Sequence, residues 1–196
     1  MVEKVKGFLL EPKKTFESSK EDTMTEAMRY YMIILVIFSA LFAFMSSLAS
    51  ALFDSMMGSR QFGMMFTTGA EVEEATLIFA RSWIAGVLGI FILGFILHIF
   101  VYLMGGRNGI KQTLKAAMYA ATPGLLFYWI PFYYIAVVWS LVLFILGIRK
   151  FQEITTARAI MALVIPIIIL FVIAAVFVYM IFQIDSDIPF FPTFGH

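Results

Sequence analysis

The chain has 196 residues, 62% of them hydrophobic and 14% charged, with a formal net charge of +1. Its mean hydropathy is +0.94. Soluble domains are about 45–50% apolar, so a soluble core is excluded and an integral membrane protein is expected. No basic stretch has the footprint that nucleic acid requires. Without cysteine there are no disulfides, thiolate metal ligands or thiol nucleophiles.

Residues Met1–Arg29 carry six bases and six acids. Val2, Val5, Phe8 and Leu9 fall on one helical face, so this leader reads either as a short interfacial helix or as a polar arm, ended by Pro12. Thr23-Met-Thr-Glu26 has capping-box spacing, which starts the first spanning helix near Met24. The first span is about 30–53. Ser39, Ala43, Ser47 and Ala51 recur in it every four residues, the spacing of a close-packing seam. Ala49-Ser-Ala51 resembles a signal cleavage site, but the long leader and long apolar run do not fit a signal peptide. A long connection, 54–82, contains Gly58, Gly63 and Gly69 at expected turns. Val72, Ala75 and Phe79 share a face, so the second helix begins outside the bilayer and spans about 83–104, with small residues at Ala85, Gly86, Gly89 and Gly94. Gly105-Gly106-Arg107-Asn108-Gly109 then ends it with a left-handed cap. This run lacks the strand and the Gly-Lys-Ser/Thr ending of a phosphate-binding loop.

From 113 to 147 the sequence is apolar with one base, Lys115. A single helix of that length would be about 50 Å long against a hydrocarbon core of about 30 Å. The run is therefore expected to fold back at Trp129-Ile-Pro131, giving spans at 113–129 and 131–147. Ala116, Ala120 and Gly124 form a seam in one limb, Ala136 and Ser140 in the other. Gly147, Arg149, Lys150 and Arg158 mark the next turn, with Thr155 or Thr156 as a helix cap. A fifth span, 159–182, contains Pro166, which would kink it. The expected fold is an all-α five-helix transmembrane bundle: a leader at 1–29, a membrane domain at 30–182 and a tail at 183–196. With this topology 12 bases fall on one side and 2 on the other. The positive-inside rule then puts the amino terminus in the cytoplasm and the carboxyl terminus outside.

His98 is the ionisable residue expected at membrane depth. It reads either as a proton relay, ligand or gate, or as a structural histidine bonded to a carbonyl or a neighbouring Ser/Thr. No metalloprotease or serine-hydrolase motif occurs, so a non-enzymatic protein without cofactor or metal is expected. The outer acids Asp54, Glu71, Glu73, Glu74, Asp185 and Asp187 read as solvated rather than cation-binding. The basic turns would hold anionic lipid or an acidic protein partner.

Phe8-Leu-Leu-Glu-Pro12 with Thr15-Phe16, then Gly105-Gly106, Gly109, Gln112, Tyr119, Thr122 and Pro123, then Gly147-Ile148-Arg149 with Thr156, Arg158 and Ala159, resemble the Yip1 domain family in its small prokaryotic form. The resemblance implies five spans and a non-enzymatic role. Eukaryotic relatives bind prenylated Rab GTPases in transport between endoplasmic reticulum and Golgi. This chain lacks their long amino-terminal region, so architecture carries over better than trafficking. The expected location is the cell membrane, or the endoplasmic reticulum or Golgi in a eukaryote. Two readings follow: a membrane scaffold or adaptor, or a transporter, channel or scramblase built on Pro123, Pro131, Pro166 and His98.

Overall fold

In the computed structural model, residues 1–57, 72–128 and 133–187 are described. Eight helices occupy them: α1 (Val2–Leu10), α2 (Pro12–Ser18), α3 (Met24–Met57), α4 (Val72–Leu103), α5 (Ile110–Ala120), α6 (Thr122–Leu126), α7 (Tyr133–Phe151) and α8 (Thr156–Asp187). Among the described residues four helices are long and apolar enough to cross a membrane: Met24–Ser50, Glu74–Leu103, Tyr133–Phe151 and Thr156–Ile181. The expected turns at Gly58, Gly63, Gly69 and Trp129-Ile-Pro131 lie outside the described residues.

Local chemistry sets the helix ends. The residue before a proline avoids the helical region. Glu11, at φ −129°, accordingly ends α1, and Pro12 opens α2. The capping box forms in both directions: the Thr23 amide donates to Glu26 Oε2 at 2.7 Å, and the Glu26 amide to Thr23 Oγ1 at 3.2 Å. At the end of α4, Gly105 adopts φ +97°. The Gly105 amide bonds the Tyr102 carbonyl at 3.0 Å and the Gly106 amide bonds the Val101 carbonyl at 2.9 Å, which is a Schellman cap. Thr155 caps α8 through the Arg158 amide. Pro166 is buried inside α8, and the helix runs through it unbroken.

The segment expected to form a single span at 113–129 divides at Ala121 into α5 and α6. Pro123 has no amide to give the Tyr119 carbonyl four residues back. The Thr122 hydroxyl donates to that carbonyl instead, at 2.7 Å. Together α5 and α6 cover about 25 Å, half the length of α3. Their described end sets Tyr128 against Phe38 and Phe42, ring centroids 5.6 and 5.8 Å apart.

α5 is the central element and packs against α3, α4 and α7; every residue from Thr113 to Ala120 is buried. Small residues permit this closeness. A Cβ on Gly94 would come within 2.4 Å of Leu114, and one on Gly147 within 3.0 Å of Ala116 and 2.9 Å of Phe16. On the α3–α4 contact, Gly86 lies under Leu35, while Ser39 and Ala43 are buried in the expected seam. Gly89 has open space and takes no part. In the hairpin limbs, Ser140 Oγ accepts the Gly124 amide at 3.0 Å.

Candidate functional site

One end of the bundle gathers α1, α2, the start of α3, the α4–α5 turn, α5 and the α7–α8 turn. At its centre Phe8, Phe16, Tyr30, Tyr119 and Phe151 form a ring cluster drawn from five helices. Phe8 stacks on Tyr119 with centroids 4.8 Å apart. The leader is thus part of the core, with Phe8 and Phe16 essentially without solvent contact. Val2, assigned from its spacing to the same face, is instead exposed.

Polar groups at the edge of this cluster are closely paired. Asp22 accepts from both Lys4 Nζ and Tyr119 OH. Lys115, buried among apolar neighbours, donates to the carbonyls of Lys20 at 3.0 Å and Asp22 at 2.6 Å. Tyr30 OH lies 3.0 Å from Thr122 Oγ1. Partial burial raises the Asp22 pKa, but the bonds from Lys4 and Tyr119 outweigh it and hold the carboxyl below the ordinary Asp value.

A second network joins the two turns. His98 Nδ1 lies 2.8 Å from Thr113 Oγ1, which also accepts from Gln152 Nε2 at 3.0 Å. Gln152 reaches the Gly109 carbonyl and receives the Asn108 amide, and Asn108 Nδ2 bonds the Phe151 carbonyl. Gly109 sits at φ +82°, and the Arg158 guanidinium lies beside Gly105. His98 therefore has a Thr partner, one of the two kinds its setting suggested. These bonds tie the α4–α5 turn to the α7–α8 turn through Thr113, Asn108 and Gln152.

Outside this core, a cavity of about 450 Å³ opens between α2 and the end of α7, lined by Lys13, Lys20, Arg149 and Lys150 with Glu17 and Glu153. Lys150 pairs with Glu17, and Lys20 with Glu153. Those hydrogen bonds lower both glutamate pKa values. Among the described residues Lys13 and Arg149 enter no ion pair. No group of three or more potential metal ligands occurs among them either; the side chains of Asp54, Glu71, Glu73, Asp185 and Asp187 lie outside those described.

The model of the Yip1 domain matches residues 6–178, from within α1 to the far part of α8. The chain belongs to the Yip1 domain family. It is a multi-pass membrane protein, and the leader, both turns and all eight helices fall wholly or largely inside the Yip1 domain. No curated protein and no solved structure matches the sequence. The Gly105–Gly109 turn, Tyr119, Pro123, Gly147 and Arg158 of the family resemblance converge at or near this end. Pro166 lies further along α8, and Pro131 is outside the described residues. Spacing alone missed Lys4, Asp22, Lys115 and Gln152, because their partners are distant in sequence.

Proposed function

We propose that this Yip1-domain protein is a non-enzymatic membrane scaffold that crosses the bilayer five times and presents its basic end to the cytoplasm. The observation that carries this reading is the pairing just described: the polar groups inside the bundle hold one helix to another, while Lys13, Arg107, Lys111 and Arg149 stay on the surface. Twelve of the 14 bases fall on the side of this end in the five-crossing topology. With α5 and α6 counted as one broken crossing, the chain ends lie on opposite sides. The surface of the basic end would then hold an acidic protein partner or anionic lipid.

Two measurements test it. The chain has no cysteine, so Ser18→Cys and Thr193→Cys can be labelled singly in sealed membranes; opposite accessibility is expected, and labelling from the same side rejects five crossings. Cross-linking in cells should yield adducts that disappear when Arg107, Lys111, Arg149 and Lys150 are changed to Gln. Adducts that persist would reject the scaffold surface. The transport reading draws on the break in the buried α5–α6 segment and on His98. Liposome flux abolished by His98→Ala would favour it.

A further inference from the structure

The face of α7 that carries Arg149 and Lys150 continues down the helix. Ile135, Trp139, Val142, Leu146 and Lys150 recur at steps of three and four residues within α7, so they share one side. The basic cavity occupies one end of that stripe. At the other end is an apolar groove of about 450 Å³, formed by Leu10, Pro123, Phe127, Ile135 and Trp139. The joint between α1 and α2 borders both: Leu10 lines the groove and Lys13, three residues on, lines the cavity. Lys150 comes eleven positions after Trp139, about 16 Å along the helix. One leaflet's hydrocarbon is about 15 Å deep, half of the core.

We infer that this side of α7 binds one anionic glycerophospholipid of the adjoining leaflet. Its phosphate lies among Lys13, Lys20, Arg149 and Lys150, and an acyl chain follows α7 into the groove beside Trp139. Charge selects the headgroup. The cavity sets four bases against two acids, and both acids are already paired. A zwitterionic headgroup leaves that excess unbalanced, whereas an anionic one offsets it. Depth selects a lipid over a soluble anion or an acidic protein segment, since either of those would meet the bases and leave the groove empty. The inference deepens the reading of the basic end as a surface at the membrane. It does not depend on a protein partner, so cross-links that persist in the variants above would leave it standing.

The test is lipid retention by the purified full chain in detergent, read by native mass spectrometry against an equimolar mixture of phosphatidylglycerol and phosphatidylcholine. Two double variants separate head from tail: Lys13→Gln with Arg149→Gln, and Leu10→Ser with Ile135→Ser. All four residues are exposed, so folding should survive, and unchanged melting temperatures would verify it. Preferential retention of phosphatidylglycerol is expected, falling about fivefold for each base removed, and falling also in the groove variant. Equal retention of the two lipids, or undiminished phosphatidylglycerol in either variant, overturns the inference. So does complete displacement by millimolar inorganic phosphate, the mark of a free-anion site, or by an acidic peptide, the mark of a protein-docking surface.

Discussion

At the basic end, rings from five helices close over one another and Asp22 holds Lys4 and Tyr119 together. Along α8, by contrast, every residue from Ile167 to Ile181 is exposed. Both regions are rich in apolar side chains, yet only one is a core. In lipid the apolar face of a helix meets a solvent as apolar as itself, so hydrophobicity gives helices no reason to pack there. At the polar boundary, burying a ring removes it from water, and each polar group taken along must find a partner. The first region therefore depends on particular residues, while the second depends on composition.

Substitutions at the ring cluster should break this contrast most visibly. Tyr119→Ala removes the ring shared by Phe8, Tyr30 and Phe151 and the hydroxyl on Asp22. It is expected to lower stability by about 3–5 kcal/mol, measured by thermal unfolding in detergent, and to expose the leader to protease. Asp22→Asn should cost about 2 kcal/mol at neutral pH, because Lys4 loses its counter-charge. The Asp22 pKa is depressed in the folded protein, so its stabilisation is present above the unfolded Asp value and is lost as pH falls through the lower folded one. The gap between variant and wild type should accordingly close below about pH 4. Thr23→Ala opens the capping box at the start of α3 and should cost about 1 kcal/mol. Phe171→Leu, in the exposed half of α8, should change stability by no more than about 0.5 kcal/mol. A loss there as large as at Tyr119 would mean that this half of α8 is packed against something, and the contrast would fail.

What could be read from the sequence follows the same division. The capping box at Thr23–Glu26, the glycine cap at Gly105-Gly106 and the cap at Thr155 are short-range patterns, and all three form. Four long apolar helices also announce themselves by length. The 113–129 limb does not behave as its hydropathy suggests, because Pro123 divides it and Thr122 supplies the missing bond locally. Partner type was legible for His98, whose Thr113 is 15 residues away, but partner identity was not. Asp22 and Tyr119 are 97 residues apart, and nothing in the composition of the leader marks Phe8 as a core residue rather than part of an interfacial stripe.

The distance between Phe8 and its ring partners has a consequence for biosynthesis. At ribosomal speeds of about 5–20 residues per second, Phe151 follows Phe8 by roughly 7–30 s. During that interval Phe8 and Phe16 lack part of the ring packing that encloses them in the folded protein. The ring cluster can close only once Phe151, the last of its five rings to be made, has arrived.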